Sequence, residues 1–195
     1  MKRALGTVLL PALVIGLAAC GDDDATTGAS GHSGHSAPAS AAPSATHNAQ
    51  DVMFAQMMIP HHRQAVEMAD LAPTRAGSAK VKDLAVQIKK AQGPEIRTMT
   101  GWLKTWGEPE SAGQMGHDMD GMMSDEQMTE LEGLSGAKFD KAFLEMMIEH
   151  HEGAVTMAQQ EQASGRFADA TAMAGEIVRT QRAEIATMRE LLGAP

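Results

Sequence analysis

Two histidine pairs, each preceded by two methionines, are the residues of this sequence best suited to metal chemistry. His61 and His62 lie in "MMIPHH", and His150 and His151 lie in "MMIEHH". Imidazole nitrogen and thioether sulfur together suit soft Cu(I), and histidine also serves Cu(II). Cys20 is the only cysteine, so the region around these motifs has no thiolate ligand for zinc. As metal ligands, these residues therefore favour copper.

The spacing of these residues would bring several donors to one face of a helix. Successive residues are about 100° apart, so Met57, His61 and Met68 share a stripe. Met58 lies beside His62, one turn away. The second copy repeats the arrangement with Met146, His150 and Met157, and with Met147 and His151. The same spacing would also serve core packing, in which methionine is a common filler. The pattern alone leaves both interpretations open.

The second helix of each copy carries a matching stripe. It consists of Ile88, Gln92, Glu95 and Met99 in the first copy and of Ile177, Gln181, Glu184 and Met188 in the second. Buried glutamine and glutamate require partners, and a metal-bound histidine commonly donates its other ring N–H to a carboxylate. We therefore predict Glu95 and Glu184 as ligands or as partners of the ligands. We also predict Met99 and Met188 as further sulfur donors.

A third group of candidate ligands lies in the segment that joins the copies. The stretch "MGHDMDGMM" contains Met115, His117, Met119, Met122 and Met123. We expect a polar, exposed loop here, in which methionine would have no packing role. The stretch is therefore interpreted as an auxiliary copper site, and chance enrichment of methionine in a linker is the alternative.

These motifs belong to an internal repeat with an offset of 89 residues. Residues 54–72 and 143–161 are identical at ten of 19 positions, and the same offset relates 84–103 to 173–192. Each copy has the pattern of a helix, a short connection with Gly or Pro, and a second helix. One such hairpin cannot bury its apolar face alone, whereas two can pack as a four-helix bundle. No strand-like alternation is present, so we predict an all-α fold made of two tandem helical hairpins.

The N-terminal region predicts export and anchoring. Residues 1–19 have the features of a signal peptide, and the ending "LAAC" resembles a lipobox, which predicts cleavage before Cys20 and lipid attachment to it. Residues 20–49 are rich in Gly, Ser, Ala and Pro and are interpreted as a disordered tether. Its histidines (His32, His35 and His47) are interpreted as spacer residues. We therefore expect a lipid-anchored protein on the extracytoplasmic side of the cell membrane.

The folded domain is predicted at residues 50–195. It is divided into a first hairpin at 50–106, a Met/His-rich linker at 107–135 and a second hairpin at 136–195. Within the linker, Ser124 followed by Gln127 predicts a capping box at the start of a short helix that ends near Leu134.

Charge and motifs exclude several functions. Without Lys2 and Arg3, the chain has 14 basic and 25 acidic residues, so it lacks the electrostatic footprint of a nucleic-acid-binding protein. Neither copy contains the Glu-x-x-His pair of di-iron carboxylate bundles. Met58 and Ile59 stand three residues before the histidines of the first copy, and Met147 and Ile148 do so in the second. No nucleophile–base set or phosphate loop is recognisable. We therefore expect a binding protein and not an enzyme.

The stretches "MMIPHHRQAVEMA" with "QGPEIRTM" and "FDKAFLEMMIEHHEGAVTMA" with "QRAEIATM" resemble the bacterial domain-of-unknown-function family DUF305. The resemblance covers about residues 48–193. It implies a ferritin-like helical bundle, often exported or lipid-anchored, and kinship with a periplasmic copper-binding protein associated with copper tolerance. The ligands implied by the motifs are Met57, Met58, His61, His62, Met146, Met147, His150 and His151.

Together these expectations describe a copper-buffering or copper-sequestering protein. Two alternatives remain at this stage. One is an envelope scaffold whose Met/His stripes are only core, and the other is a redox enzyme that uses copper or iron.

Overall fold

The computed structural model describes residues 46–111 and 120–193. The helices are α1 (Ala49–Arg75), α2 (Ala79–Trp106), α3 (Asp125–Gly133), α4 (Gly136–Ser164) and α5 (Ala168–Leu192). No β-strand forms within these two ranges. The prediction of an all-α fold is confirmed.

The four long helices pack as two hairpins joined along one interface. α1 packs on α2, α4 packs on α5, and α1 packs on α4. The N-terminal half of α1 shares a core with the C-terminal half of α4, so these two helices run antiparallel. α1 and α4, the helices that carry the histidine pairs, thus form the central pair of the bundle.

The apolar core is divided into two clusters, one toward each end of the bundle. Cluster A is built around the large side chains Met68, Leu131, Phe139, Phe143, Met147 and Met188. Cluster B is built around Phe54, Met58, Met99, Leu103, Met157 and Ile177. Each long helix contributes one half to each cluster, so its middle lies between them.

Buried polar side chains occupy the level between the clusters. This polar layer consists of His61, His62, Gln92, His150, His151 and Gln181. None of them belongs to either cluster, although residues one or two turns away on the same helices do. The bundle therefore carries a polar section through the middle of its core.

The end of the bundle near cluster B is held by polar contacts to the start of α1. Asn48 caps α1 in a capping box with Asp51, and its side-chain amide donates to the carbonyl of Ser164. The Asp51 carboxylate also accepts from the backbone N–H groups of Arg166 and Phe167. These bonds tie the connection between α4 and α5 to the N-terminus of α1.

The chain immediately before α1 also contacts the bundle. The ring of His47 stacks on Trp106 at the end of α2, with 4.5 Å between the ring centroids. His47, predicted from the sequence to be a spacer residue of the tether, therefore contacts the folded domain.

The short helix of the linker begins as the sequence predicted. The side chain of Ser124 accepts from the backbone N–H of Gln127, whose side chain accepts from the backbone N–H of Ser124. Met128 and Leu131 on this helix are buried in cluster A. The second part of the linker is therefore anchored in the core.

Several predictions concern parts of the chain outside the described residues. They are the signal peptide, the lipidation site Cys20, the tether up to residue 45 with His32 and His35, and the linker residues Met115, His117 and Met119. Among the helices of residues 46–111 and 120–193, none is long and apolar enough to cross a membrane.

Candidate metal centre

His61 and His150 meet at the centre of the α1–α4 interface. Their ring centroids are 3.7 Å apart with 40° between the ring planes, and neither side chain has exposed surface. The two residues are counterparts in the internal repeat, so the two copies contribute one histidine each to a single central pair.

His62 and His151 point away from this pair, each toward the second helix of its own hairpin. Nε2 of His62 lies 2.8 Å from a carboxylate oxygen of Glu95 on α2. Nε2 of His151 lies 2.7 Å from a carboxylate oxygen of Glu184 on α5. The predicted pairing of these glutamates with histidines is thus present in both hairpins. Adjacent histidines contact different helices because neighbouring residues of a helix point in directions about 100° apart.

Burial keeps the central pair neutral. The pKa of His61 is lowered to about 3 because burial disfavours the charged ring, and the neighbouring His62 and His151 add to this effect. The backbone of Asp120 acts in the opposite direction and raises the pKa of His61. It does not form a hydrogen bond of normal geometry with the ring. Burial likewise lowers the pKa of His150 well below its ordinary value. At neutral pH both rings therefore keep a nitrogen lone pair available to a metal ion.

The polar layer contains an unusual concentration of unpaired atoms. Among the described residues, eleven buried side-chain nitrogen and oxygen atoms have no hydrogen-bond partner, and nine of them belong to this layer. They are both ring nitrogens of His61 and His150, Nδ1 of His62 and His151, both amide atoms of Gln92, and Oε1 of Gln181. Each such atom costs about 1–3 kcal/mol if it stays unpaired. This polar layer is therefore suited to receive a ligand.

Gln92 and Gln181 extend the site beyond the residues predicted as ligands. Both are almost fully buried, and each lies three residues before the glutamate that holds a histidine. The sequence signalled them through an amide on an apolar stripe in both copies, but the predicted ligand set omitted them.

The predicted methionine donors lie on both sides of the polar layer. Met58, Met99 and Met157 are buried in cluster B, and Met57 packs against it. Their repeat counterparts Met147, Met188 and Met68 are buried in cluster A, and Met146 packs against it. The internal repeat thus relates each of these methionines at one cluster to a methionine at the other cluster.

The donor types fit a soft ion better than a hard one. No group of three or more His, Cys, Asp or Glu residues in the described part of the chain could hold a metal together. The donors that the layer and its borders do offer are unpaired imidazole nitrogens and the thioethers of buried methionines. Both donor types are ligands of Cu(I).

The linker methionines within the described residues do not form an exposed site. Met123 is only 5% exposed and belongs to cluster A, so the prediction of an exposed residue is wrong for it. Its backbone N–H and carbonyl are both bonded to the side-chain amide of Gln64, each at 2.8 Å. Met122 is partly buried. These contacts draw the end of the linker into the bundle.

Comparison with known proteins places this chain in a family. The model of the family described as "Domain of unknown function (DUF305)" matches residues 51–192. No curated protein matches. Among solved structures, a DUF305 protein of Streptomyces coelicolor, described as secreted, shares 34% identity over 74% of this chain and 94% of its own, with a TM-score of 0.70. A DUF305 fragment from Deinococcus radiodurans shares 34% identity over 75% and 97% of the two chains, with a TM-score of 0.69.

CopM structures are also similar to this chain. The Cu(I)-bound form shares 31% identity over 72% of this chain and 94% of CopM, with a TM-score of 0.62. The Cu(II)-bound form shares 32% identity over the same fractions, with a TM-score of 0.64. CopM has also been solved with silver. The family model covers most of the chain and these structures share its fold, so the protein is a member of the DUF305 family.

Proposed function

We propose that this protein binds copper in the polar layer of its bundle and buffers or sequesters it outside the cytoplasm. The observation that carries the proposal is the central pair of His61 and His150, buried, neutral and without hydrogen-bond partners. Such a pair is costly in an empty core and becomes favourable when a ligand satisfies its nitrogens. Similarity to CopM, which holds Cu(I), Cu(II) or silver in its solved forms, supports copper as the ligand.

The residues divide into three roles in this proposal. His61 and His150 are the central nitrogen ligands, and the methionines of clusters A and B that border the layer provide sulfur donors for Cu(I). His62 and His151 supply Nδ1, while Glu95 and Glu184 orient their rings through Nε2. Coordination to copper would satisfy the ring nitrogens that otherwise lack a partner.

The location rests on the N-terminal sequence. A signal peptide and a lipidated Cys20 would place the domain on the extracytoplasmic face of the membrane, joined to it by the tether. Replacing Cys20 with serine should release the protein from the membrane fraction and abolish incorporation of labelled fatty acid. Persistence of both would contradict lipid anchoring.

Equilibrium binding tests the copper proposal. The purified protein is titrated with Cu(I) and with Cu(II) in the presence of a competing chelator. We expect His61→Ala with His150→Ala to remove the tight site. Replacing Met115, His117 and Met119 with serine should leave it in place. The opposite pattern would move the binding site to the linker.

The scaffold alternative makes a different prediction. A ligand that binds the folded state must raise the thermal midpoint, whereas a bundle without a copper site shows no shift. Absence of both tight binding and a thermal shift would exclude the copper function.

A further inference from the structure

We infer that residues 120–123 form a strap that closes the central histidine pair and that the side chain of Gln64 holds this strap shut. The inference rests on the proposed function for its role in copper entry. The closure itself can be tested without metal.

The strap is fastened to α1 by one side chain. The amide nitrogen of Gln64 donates to the carbonyl of Met123, and its amide oxygen accepts from the N–H of Met123, both at 2.8 Å. Gln64 is 9% exposed, so these two bonds are shielded from water. Gln64 follows His61 by three residues and so lies about one turn further along α1.

The strap lies directly on α4 at its other side. A Cβ on Gly153 would collide with the carbonyl oxygen of Asp120, and a Cβ on Gly121 would lie 2.7 Å from the carbonyl oxygen of Glu149. Gly121 also has a left-handed backbone with φ of 81°, which glycine adopts without strain. Gly153 follows His150 by three residues. The strap therefore passes from α4 to α1 beside the His61–His150 pair.

The internal repeat explains why the strap binds in only one orientation across α1 and α4. Gln64 and Gly153 are counterparts at the offset of 89 residues. One copy provides the amide that binds the strap, and the other lacks the side chain that would block it. This is one of several differences between the two motifs, and it falls where the strap crosses both helices.

The strap is the part of this enclosure that can move at least cost. α1 and α4 are joined by the buried residues of both clusters, so separating them would expose much of the core. Releasing the strap breaks the two bonds to Gln64 and its contacts with α4. Local openings of this kind need far less free energy than global unfolding. We therefore assign copper entry to the opening of the strap.

Chemical labelling of the metal-free protein tests the closure. Histidines are modified with diethylpyrocarbonate, and the rate at His61 and His150 is read by mass spectrometry. Gln64→Ala removes the fastening, and Gly153→Ala pushes against Asp120 while improving helix propensity. Either variant should raise the rate about tenfold or more. In Gln64→Ala, about that factor accompanies the loss of buried hydrogen bonds. In Gly153→Ala, the added Cβ collides with the carbonyl oxygen of Asp120 and displaces the strap.

Two matched controls accompany these variants. Gln56 lies two turns before Gln64 on α1 and donates to the carbonyl of Pro109 at the other end of the linker. Gly101 is a helical glycine on α2 with no neighbour within 4 Å of an added Cβ. Gln56→Ala and Gly101→Ala should label at the wild-type rate. A wild-type rate in both Gln64→Ala and Gly153→Ala would overturn the strap.

The rates of copper binding and release then test whether copper enters through the opening of the strap. Association and dissociation rates of Cu(I) should rise by similar factors in Gln64→Ala and Gly153→Ala, with little change in Kd. Faster labelling with unchanged copper rates would overturn entry through the strap. Faster labelling in a protein that binds no copper would leave the closure established and refute the proposed function.

Discussion

The rings of His61 and His150, which occupy the same position in two copies of one repeat, face each other with 3.7 Å between their centroids. A residue that contacts its own counterpart lies where the two copies meet. The pair can therefore contribute to only one central site per chain. His62 with Glu95 and His151 with Glu184 occur twice and flank that site on either side.

Replacing the central pair with leucine should stabilise the metal-free protein. In His61→Leu with His150→Leu, four unpaired ring nitrogens leave the core, and each unpaired polar group costs about 1–3 kcal/mol. The free energy of unfolding, measured with urea in the presence of a chelator, should rise. His62→Leu should lower it, because Glu95 loses its partner. A loss of stability in the double variant would show that the pair is a structural element.

Glu95 and Glu184 are predicted to tune copper binding through the rings that they contact. Glu95→Gln or Glu184→Gln replaces a carboxylate with an amide. The amide fixes the tautomer and orientation of the neighbouring histidine ring less strongly. Loss of such a partner typically lowers metal affinity about 10- to 100-fold. Competition with a chelator measures the change. Glu110→Gln is the control, because Glu110 contacts the exposed Arg63 instead of a histidine. Equal affinities in all three variants would refute the orienting role.

The sequence allowed the helices and their pairing to be predicted because their signals are local and repeated. Apolar residues with helical spacing and a constant offset indicated two hairpins, and Ser124 with Gln127 marked the start of α3. Glu95 could be matched with a histidine because an ionisable group on an apolar stripe requires a partner. These inferences depend on residues within one hairpin or one turn.

The rest depends on contacts between segments far apart in the chain. Nothing near Met123 indicates that Gln64, 59 residues earlier, will bind its backbone, so an exposed methionine was expected where a buried one lies. The directions of His61 and His62 depend on which neighbour each helix face meets. The close contact between the strap and Gly153 depends on the same tertiary packing.

A second polar cluster gives the protein a pH-dependent stability. Burial and the neighbouring Asp51 raise the pKa of Glu161 from 4.5 to about 8, and both Glu161 oxygens lack a hydrogen-bond partner of normal geometry. Burial acts to raise the pKa of Asp51 as well, but the neighbouring Glu161 carboxyl and hydrogen bonds from three backbone N–H groups lower it overall. Glu161 is therefore neutral at neutral pH beside an ionised Asp51.

The direction of the pH effect on stability follows from the pKa of Glu161, which is higher in the folded protein than in the unfolded chain. The folded state binds the Glu161 proton more tightly than the unfolded chain, so its contribution is complete below about pH 4.5 and is lost as the pH rises through about 8. Glu161→Gln removes the ionisation. Its free energy of unfolding relative to wild type should increase between pH 5 and pH 8.5, as measured with urea. Glu190→Gln on the exposed face of α5 should follow the wild-type curve, and a constant difference for Glu161→Gln would contradict the assignment.

Methionine-to-leucine variants separate sulfur chemistry from packing. Leucine nearly conserves the volume of methionine, so Met58→Leu with Met147→Leu should change the stability of the metal-free protein by less than about 1.5 kcal/mol per site. If these thioethers bind metal, the affinity for Cu(I) and for silver should fall, whereas the affinity for Cu(II) should change less because it depends mainly on imidazole. Met128→Leu is the matched control, since Met128 belongs to cluster A on α3 and lies outside the helices that carry the polar layer. Unchanged Cu(I) affinity in the double variant would assign both methionines to the core alone and leave the histidines as the copper ligands.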